Sequence, residues 1–71
     1  MALIVKSIDG DPVLVGRLYE LGFYPGQKVV RRYELPFMGP VVFEMNGALI
    51  ALRRNELKCI TFEEETKDAE L

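Results

Sequence analysis

The chain has 71 residues, 49% of them hydrophobic and 28% charged. That is one small folded domain, neither a disordered segment nor a pair of domains. Cys59 is the single cysteine and there is no histidine, which excludes an internal disulfide and argues against a zinc site built from nitrogen and sulfur ligands. The net charge of −2 divides unevenly, with eight bases and six acids in residues 1–62 and five acids and one lysine in residues 63–71; neither balance argues for a nucleic-acid partner.

Residues 2–8 read as a first strand, rich in Leu, Ile and Val. Leu3 and Val5 fall on one face, Ile4 and Ile8 on the other. A bulge would reconcile the two sets, and the sequence leaves the facing open. The apolar run is too short for a signal peptide, and no run nears the ~20 residues of a spanning helix. With the unpaired cysteine, this points to the cytoplasm. Asp9-Gly10-Asp11-Pro12 is a turn. Asp11 is placed to cap a helix and Pro12 to begin it. Leu14, Leu18 and Leu21 then recur at helical spacing, with Arg17 and Glu20 on the other side.

Gly22 follows the last leucine and can take the left-handed conformation that closes a helix. Phe23 and Leu18 then stand at the spacing of the hydrophobic contact that accompanies such a cap. Tyr24-Pro25-Gly26-Gln27 has Pro second and Gly third, the pattern of a type II turn. A strand over residues 27–35 follows. Val29, Tyr33 and Leu35 are expected on one face, interrupted by Arg31, with Lys28, Arg32 and Glu34 opposite. The Pro36-Phe37-Met38-Gly39-Pro40 stretch admits no regular structure.

Asn46-Gly47 is the preferred pair for a two-residue type I′ turn. That turn sets Met45 against Ala48, Phe43 against Ile50 and Val41 against Leu52, all apolar and all on one face. The opposite face pairs Glu44 with Leu49 and Val42 with Ala51. Residues 54–57 form a single helical turn. Cys59–Phe62 is a last strand with Ile60 and Phe62 on one face. Residues 1–62 are therefore the domain and residues 63–71 an acidic, solvated tail. Five short strands with one helix after the first are expected to close, or nearly close, into a small β-barrel.

Leu18-x-x-Leu21-Gly22-Phe23-x-Pro25-Gly26-x-x-Val29 resembles the signature of the FeoA family, small proteins of bacterial ferrous-iron uptake. The Pro36, Gly39 and Pro40 loop and Ile50-Ala51-Leu52-Arg53 followed by Glu56 and Ile60 extend the likeness over about residues 2–62. The resemblance implies an SH3-like barrel with a helix inserted after the first strand. It also implies a cytosolic accessory protein that works with FeoB, a membrane permease bearing a GTPase domain. Related domains form the C-terminal part of metal-dependent repressors, so a metal-responsive regulatory domain is the alternative.

The chain shows no nucleophile with a supporting base and no phosphate-binding loop, so no enzyme is expected. Glu44, Glu56 and Glu63-Glu64-Glu65 are better read as solvated charges than as an iron site, and neither metal nor cofactor is expected. Tyr24, Leu35, Phe37 and Met38 lie on turns or a loop, where apolar side chains can form a contact patch. Arg31-Arg32 and Arg53-Arg54 are candidates to steer an acidic partner, against the reading of a solvated face with Arg53 paired to Glu56. Against the patch stands the reading that Phe37 folds back to plug one end of the barrel.

Overall fold

The computed structural model describes residues 2–65. Seven elements follow in order: β1 (Ala2–Ile8), α1 (Pro12–Leu21), β2 (Lys28–Glu34), β3 (Val41–Met45), β4 (Ala48–Leu52), α2 (Arg54–Leu57) and β5 (Ile60–Glu64). The strands make one antiparallel sheet in the order β4-β3-β2-β1-β5.

The helix begins and ends as its sequence requires. The Asp11 carboxylate accepts the Leu14 N–H at 3.4 Å. Gly22 has φ 103°, and its N–H reaches the Tyr19 carbonyl while that of Phe23 reaches Leu18, each at 3.0 Å. These two bonds are a Schellman cap, and they place Leu18 and Phe23 together in the core. A Cβ on Gly22 would stand 3.2 Å from the Met45 methyl, so the packing as well as the backbone calls for glycine. The next turn closes with the Gln27 N–H on the Tyr24 carbonyl at 2.9 Å. It docks on β1, since the Gly26 N–H reaches the Val5 carbonyl at 2.7 Å and the Val5 N–H reaches Gln27 at 2.9 Å. Helix, turn and β1 are thereby fixed as one joint.

The hairpin register is the expected one at every position from Met45–Ala48 to Val41–Leu52. A bulge in β1 resolves its facing: Val5 pairs with Phe62 and Ser7 with Thr61, leaving Lys6 unpaired against β5. Leu3, Val5 and Ile8 then all reach the core. A second bulge corrects the expectation for β2. Arg31 pairs with Phe43 and Tyr33 with Val42, so Arg32 is the extra residue. The extra residue turns Tyr33 away from the face of Val29, and Tyr33 is exposed while Val29 is buried.

The expected mainly-β architecture of five strands with a helix after the first is present, but closure of the ladder is not: among the described residues the sheet is open, with β4 and β5 at its two edges. β5 uses its ladder on β1, and α2 separates it from β4 along the chain. The core is covered by curvature instead. β3 and β5 stand three strands apart, about 14 Å in a flat sheet. Yet Phe43 and Phe62 stack with ring centroids 5.4 Å apart. Phe23 meets Phe43 edge-on at 6.3 Å, and Leu14, Leu18 and Leu21 of α1 close the core.

β5 also runs past the expected domain limit. Glu63 and Glu64 pair with Ile4 and Leu3, and the Glu65 N–H reaches the Ala2 carbonyl at 3.2 Å. The rest of the expected tail, residues 66–71, lies outside the described residues.

Glu56 binds α2 to α1. Its carboxylate accepts the Arg53 N–H at 2.9 Å and Arg17 Nε at 2.8 Å. Burial pushes the Glu56 carboxyl up, but the Arg53 N–H, the Arg17 hydrogen bond and the two positive charges outweigh it, so the group titrates below its ordinary 4.5.

Candidate functional site

The loop after β2 is a second tight turn. The Gly39 N–H reaches the Pro36 carbonyl at 3.2 Å and the Leu35 N–H reaches Pro40 at 2.9 Å. The two central residues, Phe37 and Met38, have φ 62° and 59°. That is the left-handed geometry of the Asn46-Gly47 turn, which has φ 52° and 84°. Asn and Gly accept it readily; residues such as Phe and Met adopt it at a cost of about 1–2 kcal/mol each. Gly39 is required for a different reason: a Cβ there would lie 2.9 Å from the Pro36 carbonyl oxygen.

The strained turn holds its side chains out. Phe37 is 98% exposed and Met38 75%. The reading of Phe37 as an end plug is therefore overturned; its ring touches no core. The turn is steadied from α2. Arg54 Nε approaches the Met38 carbonyl at 3.5 Å, and the Arg54 guanidinium pairs with Glu34. The other oxygen of Glu34 takes Arg31 at 3.1 Å. Two guanidiniums thus share one carboxylate beside the apolar tip, leaving that rim positive.

The six residues chosen from sequence do not form one patch. Leu35, Phe37, Met38 and Arg31 come together at the end of β2. Arg32 pairs with Glu44 across β2 and β3 at 3.4 Å. Tyr24 sits on the turn before β2, at the strand's opposite end, with its ring 5.5 Å from Tyr19. Sequence reading missed Glu34 and Arg54 as supports of the tip. They are 20 residues apart, and no local pattern joins them. Arg17, assigned to the solvent side of α1, is the residue that reaches buried Glu56, and Arg53 contributes its backbone N–H there.

Among the described residues no three His, Cys, Asp or Glu side chains converge as a metal site, and no cavity opens. Glu44, Glu56 and Glu65 are each engaged with a base, Glu65 with Lys28 at 3.1 Å. No helix of the described residues is long and apolar enough to cross a membrane.

No curated protein matches this chain. Solved structures do. The solution structure of an FeoA protein from Chlorobium tepidum is 31% identical with TM-score 0.80, over 94% of this chain and 64% of that one. Iron(II) transport protein A from Clostridium thermocellum is 25% identical with TM-score 0.81, over 89% of this chain and 39% of that one. The present chain thus spans less than two thirds of the length of either. A zinc-complexed FeoA from Stenotrophomonas maltophilia, described as a prokaryotic SH3-domain protein and a candidate activating factor for ferrous iron transport, is 26% identical with TM-score 0.71, over 87% of this chain and 78% of that one. The family model described as FeoA domain matches residues 2–64, so the chain belongs to the FeoA family.

Proposed function

We propose that this protein is a non-catalytic accessory module of ferrous-iron uptake that docks on an FeoB-type permease at its cytoplasmic side and modulates it. The observation that carries this reading is the Phe37–Met38 turn. Two consecutive apolar residues occupy a left-handed geometry that costs free energy, and neither buries its side chain among the described residues. Backbone strain retained at an exposed apolar tip is characteristic of a ligand-contacting segment. Phe37 supplies a rigid aromatic anchor and Met38 an adaptable one. Leu35 extends the apolar surface, and the surplus charge of Arg31 and Arg54 favours a partner surface with carboxylates at its rim. Tyr24 and Arg32 stand apart from this contact.

The test is binding to a soluble cytoplasmic fragment of the permease. Phe37→Ser with Met38→Ser, in a protein of unchanged circular dichroism, weakens association by about tenfold or more. Unaltered binding would remove the turn from the interface. Tight stoichiometric uptake of ferrous ion in calorimetry would instead favour the metal-responsive reading.

A further inference from the structure

The two edges of the sheet differ. β5 ends in Glu63 and Glu64, charges that discourage pairing with another strand. β4 is Ala-Leu-Ile-Ala-Leu, with no charge and no proline. The hairpin register decides which of its backbone groups are used. A two-residue turn makes Met45–Ala48 a hydrogen-bonded pair, and bonding alternates from there. Ala48, Ile50 and Leu52 therefore bond to β3, while the N–H and C=O of Leu49 and Ala51 face outward. Among the described residues these outward groups have no backbone partner. The Leu49 side chain is 61% exposed on the sheet's outer face, in line with Val30 and Glu44.

An extended strand is the ligand that such an edge recognises. We infer that the occupant is β4 of a second copy of this chain, paired antiparallel about a two-fold axis at Ile50. The edge is complementary to itself. The axis sets Leu49 opposite Ala51 of the second copy and Ala51 opposite its Leu49, so every outward donor meets an outward acceptor. Each Leu49 then lies beside Ala51, whose neighbour across β4 and β3 is the buried Val42. The charges permit it. Arg53 falls opposite Gly47 of the second copy, and the two Arg53 positions are about 20 Å apart by strand rise, beyond the ~10 Å reach of screened repulsion. A foreign strand would have to match this neutral five-residue register; the second copy already does. The Phe37–Met38 tip lies outside the paired strands.

Five residues a side make a small contact, hence a weak, concentration-dependent dimer. Sedimentation equilibrium of the full chain tests this. The mass is expected to rise from 8.1 kDa toward twice that value between micromolar and millimolar protein. Over the same range the Leu49 and Ala51 amides gain protection from hydrogen exchange. Leu49→Lys, which brings an ammonium to the seam, weakens the dimer by about tenfold or more without altering circular dichroism. Ala51→Pro removes an outward donor while leaving the bonds to β3 in place, and acts in the same direction. A wild-type chain that stays monomeric at millimolar concentration overturns the inference, as does a dimer that both variants leave intact. So does a monomer whose capture of the permease fragment falls with Leu49→Lys, because the edge would then serve a different strand.

Discussion

At Phe37 and Met38 the backbone carries a cost that the side chains do not recover by burial among the described residues. A type I′ turn asks for Asn and Gly, and the hairpin at Asn46-Gly47 has them. Giving the second turn the same residues separates stability from binding. Phe37→Asn with Met38→Gly is expected to raise unfolding free energy by about 1–2 kcal/mol, since the left-handed strain is relieved at both positions, a gain partly offset by the entropy the new glycine loses on folding. The same variant should lose the permease contact. Urea unfolding and fragment binding together check it; a less stable variant would show that the two side chains support the fold after all. Part of this site is legible in the sequence. Two prolines and a glycine mark a loop, and apolar residues between them mark a candidate contact. Its geometry is not legible, because neither Phe nor Met prefers a left-handed backbone. The closing bonds at Leu35–Pro40 and Pro36–Gly39 impose it. Tyr24 is the converse case: it too lies on a turn and is exposed, but at the far end of β2 from the Phe37–Met38 tip.

Elements are readable where a local signal fixes them and obscure where a distant residue does. Asn46-Gly47 determines its own register, and the Gly22 cap its own hydrogen bonds, so both follow from sequence. The β2 bulge at Arg32 leaves no such mark, since an extra residue in a strand of mixed polarity disturbs no pattern. The clamp between the helices is equally hidden: Arg17 and Glu56 are 39 residues apart. It has a pH signature. The Glu56 carboxyl titrates lower in the folded protein than its ordinary 4.5, so its ionisation favours folding. That contribution is complete above 4.5 and is lost as pH falls through the lower folded value. Glu56→Gln is expected to lower stability by about 1–2 kcal/mol near neutral pH and to flatten its decline in acid. Arg17→Ala, which leaves a buried carboxylate with the Arg53 N–H as its one remaining hydrogen bond among the described residues, should cost about 1–2 kcal/mol at neutral pH. Parallel acid-dependence curves for wild type and Glu56→Gln would place the acid-sensitive contact elsewhere.

At the scale of the whole fold, the five strands and two helices of the described residues enclose a core without closing the ladder. The expectation of a barrel follows from element count and chain length, and those fix how much surface must be covered but not how. Two bulges, at Lys6 and Arg32, are sites where strands bend more sharply, and a sheet bent there can fold over its own apolar face. Phe43 is where that folding converges, meeting Phe23 edge-on and stacking with Phe62 of the edge strand. If curvature rather than closure holds β5 over the core, the ring at this position matters more than any backbone bond at the seam. Phe43→Ala should cost about 3–5 kcal/mol. A chain of this length commands roughly 4–10 kcal/mol in all, so the variant should populate unfolded forms without denaturant. The loss should be unequal across the sheet. The β3–β4 hairpin keeps the turn and register that Asn46-Gly47 dictates, whereas β5 loses the ring on which Phe62 rests. Hydrogen exchange at Thr61–Glu64 is therefore expected to accelerate more than at Phe43–Ile50. Uniform acceleration, or a loss below about 1 kcal/mol, would mean that the sheet keeps its shape without the Phe43 ring.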